Sequence, residues 1–417
     1  FNATAVAAGK ETITSGDSLS GGDGIDTLKL TSAVAGTYGS GVIGSSIEAL
    51  SVTATAATVV DASLMTSVTD VYNVGSTAAG TLSVTGAAGI PNVHLSGSNS
   101  NTSVTFANAN VNGGAADSTT VALASSGTIA NTSVTLNGVE TINVATSGSM
   151  SGKADSIVAG AIVAGTSVTI ASDTLKTLSV TGDSGARLVA DLVGATATVA
   201  GTITSGAAGD DISFNADGTD LISVDMGAGN DTVRLQTAPG LLTGSTTVGA
   251  QTIVGGEGTD TLVTGVAISK TTNTGISGFE TLQVTNGSTV VLDAAKNDIS
   301  RLVVDGTGAT VTGVEAGATI DLTTAGSVTL DKTTTGAISV NVGNTSLSGD
   351  QTSSVSAAAV TSATINSLAI ATDSTSARSV GVAGAALTEM TVTGSQPTTI
   401  TGGGAALAKV DASAIAK

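Results

Sequence analysis

Gly21-Gly22-Asp23-Gly24-Ile25-Asp26-Thr27-Leu28 is followed downstream by Ile47-Glu48-Ala49-Leu50-Ser51-Val52-Thr53, a turn-and-strand pair that sets the pattern of the chain. The first segment reads as a turn that becomes a strand. Its glycines allow backbone conformations that turn carbonyl oxygens inward, Asp26 adds a carboxylate, and Leu28 begins an apolar anchor. The second reads as a strand whose Leu50 and Val52 point the same way. The same module returns as Gly255-Gly256-Glu257-Gly258-Thr259-Asp260-Thr261-Leu262 and Phe279-Glu280-Thr281-Leu282-Gln283-Val284-Thr285. Val139-Glu140-Thr141-Ile142-Asn143-Val144 repeats the second half alone.

Short apolar-x-apolar runs recur along the chain, among them Leu82-Ser83-Val84, Leu178-Ser179-Val180, Leu302-Val303-Val304 and Met390-Thr391-Val392. Strand and turn formers crowd the sequence, and 55 Gly residues would break any long helical period. In the C-terminal half the strand centres fall near Leu282, Leu302, Leu322, Val340, Ile370, Met390 and Val410, a repeat of about 20 residues with one irregular interval, in the range of solenoid coils. A coil of that size cannot cover its own apolar face, so neighbours stack around a thin shared core. The expected fold is all-β: a right- or left-handed β-solenoid of β-helix-like stacked coils, in two or more domains. A boundary is placed near residue 205, giving one solenoid module over 1–205 and another over 206–417.

Composition narrows the function. Hydrophobic residues make up 41% of the 417 residues, yet there are four Phe, two Tyr and no Trp, as a narrow core would require. No run approaches the ~18 uninterrupted apolar residues of a membrane helix, so no transmembrane segment is expected. The absence of Cys excludes disulfides and thiolate chemistry. A net charge of −19 argues against nucleic acid and anionic lipid and suits a cation. The opening at Phe1, with neither an initiator Met nor a signal peptide, is expected of a processed or truncated chain.

The Asp residues concentrate beside Gly. The two full motifs supply Gly21, Gly22, Asp23, Gly24 and Asp26, and Gly256, Glu257, Gly258 and Asp260. Between them lie Gly209-Asp210-Asp211, then Asp217-Gly218-Thr219-Asp220, then Gly227-Ala228-Gly229-Asn230-Asp231. Asp211 to Asp220 keeps a nonapeptide step, and Asp220 to Asp231 departs from it. Stacked turns of this kind form an oxygen cage. Such a cage suits Ca2+, with its six to eight flexible oxygen ligands, better than Mg2+ or a His- and Cys-seeking Zn2+.

These motifs resemble those of the RTX proteins, secreted calcium-binding repeat proteins. The pairing of Gly16-Asp17-Ser18-Leu19-Ser20-Gly21-Gly22-Asp23-Gly24-Ile25-Asp26-Thr27-Leu28 with a Glu-Thr-Leu-x-Val strand is similar to that of the RTX-type S-layer proteins of Gram-negative bacteria. The resemblance implies type I secretion, calcium-driven folding outside the cell, localisation at the cell surface and self-assembly into a two-dimensional lattice. It also implies an anchoring region, expected to lie outside this sequence, that would meet cell-surface polysaccharide or lipopolysaccharide. The alternative on the same scaffold is an RTX-type adhesin or surface fibre.

Catalytic motifs do not hold up. Gly16-Asp17-Ser18-Leu19 and Gly182-Asp183-Ser184-Gly185 match hydrolase nucleophile blocks letter by letter, but both need a catalytic His and His94 is the only one. In the first case His94 lies too near the Ser, and in the second the flanking pattern is absent. His94 is expected to be a strand residue. Gly39-Ser40-Gly41-Val42-Ile43-Gly44 fits a dinucleotide fingerprint without a surrounding βαβ unit and reads as loop. A sugar-cleaving β-helix would gather Asp with Lys, Arg or Tyr on one face, whereas 13 Lys plus Arg are spread thinly here. No enzyme activity is expected.

Overall fold

The computed structural model describes residues 1–7, 9–106, 116–124, 132–147, 167–196, 198–215, 220–236, 252–268, 275–285, 288–291, 299–305, 309–312, 317–323, 327–330, 336–343, 351–368, 378–394 and 398–415. Among them there are strands and no helix, and the strand pairings are parallel throughout. The chain is a parallel β-solenoid. One compact unit holds the described residues up to 215 and Met226–Ala228, and the other holds 220–225 and the described residues from 229 on.

In the first unit the alternation of the sequence becomes two ladders. One runs through Thr27–Ser32, Ala49–Ala54, Asp70–Val74, Asn92–Ser96, Ser118–Ala124, Thr141–Ser147 and Thr177–Gly182. Its register stacks Leu28, Leu50, Val71, Val93, Val121, Val144 and Val180 in one buried column. The facing ladder includes Thr58–Asp61, Leu82–Ala87 and Thr102–Phe106 and stacks Val60, Val84 and Val104. Each such side chain contributes roughly 1.5–3 kcal/mol by leaving water, which is how small residues hold a coil without aromatic bulk. The neighbouring column, which stacks Leu30, Val52 and Leu95, holds a polar exception. Asn73 is fully buried, but its amide donates to Ser100 Oγ and Thr102 Oγ1 and accepts from Ser98 Oγ.

The second unit repeats the pattern. Leu262, Leu282, Leu302, Ile320, Val340, Ile365 and Val392 form one column across strands Thr261–Thr264, Thr281–Thr285, Arg301–Asp305, Thr319–Leu322, Gly336–Val342, Val360–Ser367 and Glu389–Gly394. Three places in this column are held by residues other than the expected centres: Ile320, Ile365 and Val392 rather than Leu322, Ile370 and Met390. Ile320, not Leu322, stands beside Leu302, and Leu322 stands beside Val304. A slip of two residues keeps every side chain on its own face, so the apolar pattern tolerates it. Ile365 is the residue in register with Val340, while Ile370 lies outside the described residues. One segment expected as loop is in part a strand: Ile43–Ser45 pairs with Ser18–Ser20. No helix among the described residues is long and apolar enough to cross a membrane.

Candidate cation-binding turns

The two full Gly-Asp turns, one in each unit, are built alike. Gly21 donates its N–H to the Ser45 carbonyl at 3.0 Å, and Gly255 donates to the Ser277 carbonyl at 3.0 Å. A Cβ on Gly21 would stand 1.9 Å from the Ser46 carbonyl oxygen, and one on Gly255 would stand 1.9 Å from that of Gly278. Both glycines also lie against the side chain of the motif Asp, Asp26 or Asp260. Close approach of two coils, rather than local turn geometry, makes glycine necessary at these two positions. Gly22 and Gly24 in the first turn, and Gly256 and Gly258 in the second, carry positive φ.

The second unit stacks two such turns directly. The Gly229 N–H donates to the Glu257 carbonyl at 2.8 Å, Thr259 N–H to Asn230 Oδ1 at 2.9 Å, and Asp231 N–H to Asp260 Oδ1 at 2.7 Å. Asp260 N–H in turn donates to Glu280 Oε2 at 2.7 Å on the following coil. Asp231, Asp260 and Glu280 thus form three tiers, each immediately ahead of a strand of the same ladder.

Asp260 sits at the centre of this stack. It is 0% exposed, and while Oδ1 receives the Asp231 N–H, Oδ2 has no hydrogen-bond partner. Burial pushes its carboxyl above the ordinary value; the Asp231 N–H opposes the shift and the Glu280 charge adds to it. A buried polar atom left unmatched costs roughly 1–3 kcal/mol. The turn thus holds an oxygen that lacks a positive partner.

The other acidic positions differ. Asp210 is buried, with Oδ1 receiving the Ala186 N–H at 2.6 Å and Oδ2 receiving the Ser205 hydroxyl. Asp211 binds Arg187 through Nε at 2.8 Å and Nη2 at 2.7 Å. Protein donors therefore engage both carboxylates. Gly209 lies just ahead of them, half-buried. Gly227 packs on Gly206 of the same unit, where a Cβ would lie 2.4 Å from the Gly206 oxygen. Asp220 is buried and precedes the strand Ile222–Asp225, on the opposite ladder from Asp231. Asp23 and Glu257 are exposed. Asp217 and Gly218 lie outside the described residues. Among the described residues no three Asp, Glu or His side chains form a group able to hold a metal ion. A cation at these turns would draw most of its oxygens from backbone carbonyls, with about one carboxylate per turn.

Sequence reasoning missed the role of Glu48, Glu140 and Glu280. Each caps a backbone N–H of the preceding coil: Asp26 at 2.8 Å, Asp117 at 3.0 Å and Asp260 at 2.7 Å. The available signal was the recurrence of Glu one residue ahead of an apolar strand.

His94 lies in the strand Asn92–Ser96, on the outward side of its ladder. Its Nε2 is 2.7 Å from Asp70 Oδ1, and its ring stacks on Tyr72 with centroids 4.1 Å apart. Burial alone would raise the Asp70 carboxyl, but hydrogen bonds from His94, Thr69 and Asn92, with the His94 charge, bring it below the ordinary value. The dyad joins neighbouring coils. No protein-family model matches the chain, and a search of curated proteins gives no match.

Proposed function

We propose that the chain is a structural, non-catalytic protein of a bacterial cell surface. Its Gly-Asp turns are closed by Ca2+ outside the cell, and copies then assemble into a two-dimensional lattice. Asp260 carries the calcium half of this reading. A fully buried carboxylate with one unmatched oxygen, held among positive-φ glycines and backbone carbonyls, is the donor set a hard cation takes. When bound, the ion would neutralise the buried Asp260 charge and so add its binding free energy to folding. Asp26, beside Gly21 in the matching turn, is the equivalent ligand in the first unit.

The assembly half rests on the resemblance of the paired modules to RTX-type S-layer proteins and on the solenoid. Successive coils present similar edges and faces, so a contact made once can be repeated without closing into a ring. Secretion and surface localisation follow from the same resemblance.

Electron microscopy of the purified chain in millimolar calcium and in chelator tests the reading. Ordered sheets that appear only with calcium support it. Isolated threads would move the assignment to an adhesin or surface fibre, and particles unchanged by calcium would sink both halves.

A further inference from the structure

Three segments share a feature that the Gly-Asp motif does not contain. Ser46-Ile47-Glu48, Gly138-Val139-Glu140 and Gly278-Phe279-Glu280 each begin with a left-handed residue, at φ 52, 91 and 68. Ser46 is the only non-glycine residue with positive φ among the described residues. Each segment continues with a fully buried apolar side chain and ends with a Glu that binds the backbone N–H of an Asp on the coil before. The left-handed residue does more than turn the chain. In the two full modules its carbonyl is the oxygen pressed against Gly21 or Gly255, the first glycine of the Asp turn.

The contact is reciprocal. The Asp26 carbonyl accepts the N–H groups of Glu48 and Ala49 at 3.1 and 3.0 Å, and the Asp260 carbonyl accepts that of Thr281 at 3.0 Å. An Asp turn on one coil is thus gripped at its first glycine, its Asp N–H and its Asp carbonyl by the coil that follows. This explains why the module recurs as a pair. Ahead of Asp117, in the third instance, the sequence is Gly113-Gly114-Ala115-Ala116, again a glycine pair before an Asp.

We propose that Glu48 and Glu280 are positioning residues that set the Asp26 and Asp260 turns, and that this clamp makes cation capture by each turn conditional on docking of the next coil. The cation clause rests on the calcium reading above; the clamp itself does not. A Glu serves here because its longer side chain reaches back across the coil spacing while its backbone keeps the ladder in register. The fully buried residue at the centre of each segment, Ile47 or Phe279, fixes the backbone from which the Glu projects.

The test compares Glu280→Ala with Glu280→Gln. A glutamine oxygen still accepts an N–H, so it keeps the clamp while removing the charge. Two readouts are taken: amide hydrogen exchange of the Gly255–Leu262 segment in chelator, and calcium affinity by titration calorimetry. Loss of a charge-assisted hydrogen bond corresponds to roughly tenfold or more. Glu280→Ala should therefore speed exchange at the Asp260 amide by about that factor and weaken calcium binding by a similar one, while Glu280→Gln stays within about threefold of the parent in both. Unchanged exchange in Glu280→Ala overturns the clamp. Calcium binding lost equally in both variants, with exchange preserved in Glu280→Gln, makes Glu280 a ligand rather than a positioning residue. If the parent chain binds no calcium, the calcium reading falls, but the exchange comparison still decides the clamp. Glu48→Ala and Glu48→Gln, read at Asp26, provide the same comparison should the Glu280 variants fail to fold.

Discussion

Replacing Asp260 by Asn separates the cost of the buried charge from its use. The substitution keeps the shape, and the amide oxygen still accepts the Asp231 N–H. It removes the charge that burial disfavours and that Glu280 repels, and it replaces the unmatched oxygen by an NH2 group lying against Gly255. Without calcium the variant should be more stable than the parent by roughly 1–3 kcal/mol, because a desolvated charge facing Glu280 is gone. With calcium at about one hundred times the dissociation constant, the parent gains about 2.7 kcal/mol per occupied site, and the variant should lose that gain at this turn. Urea unfolding followed by circular dichroism, in chelator and in calcium, gives both quantities. The stability order of the two proteins should narrow or invert on adding calcium. A variant less stable than the parent in chelator, with an undiminished calcium increment, would refute the assignment of Asp260 as a charge awaiting a cation.

Other outcomes follow from the same geometry. Gly21→Ala and Gly255→Ala put a Cβ 1.9 Å from a carbonyl oxygen of the adjacent coil, so each should cost about 3 kcal/mol in urea unfolding. Gly22→Ala, at φ 89 with nothing within 4 Å of its Cβ, should cost only about 1–2 kcal/mol; equal costs would show that the coils do not meet at Gly21 and Gly255. Asp70 and Asp260 have opposite pH signatures. Asp70, shifted down, adds stability that is present above its unfolded value of 3.8 and lost as pH falls through its lower folded value. Asp260, shifted up, withdraws stability as pH rises from 3.8 through its folded value. In metal-free protein, Asp70→Asn should therefore lessen acid sensitivity below about pH 4, while Asp260→Asn should remove a loss of stability above it. Matching pH profiles for the two variants would contradict the structure.

The solenoid was legible because its rule is local. An apolar-x-apolar run such as Leu50-Ser51-Val52 must bury one face, and glycine before Asp must turn, whatever lies elsewhere. Coil length was less legible: the step from Leu302 to Ile320 is shorter than its neighbours, and a two-residue slip leaves no trace in an alternating pattern. The site was legible in outline, at Gly21–Asp26 and Gly255–Asp260, and opaque in its partners. Asp210, Asp211 and Asp260 look alike beside glycine, yet Ser205 and Arg187 engage the first two while one oxygen of the third is left without a donor. That difference is set by which residue the register brings alongside from another coil. The Glu clamps were hidden for the same reason, since Glu280 lies 20 residues from the amide it holds.

Anomalous scattering from crystals grown in calcium would locate the ion directly. A peak beside Asp260 Oδ2, between the Gly255–Asp260 turn and its neighbouring coils, with a counterpart at Gly21–Asp26, is the expected result. Well-ordered turns with no peak at either place, in crystals holding calcium elsewhere, would contradict the claim that these bends are cation sites.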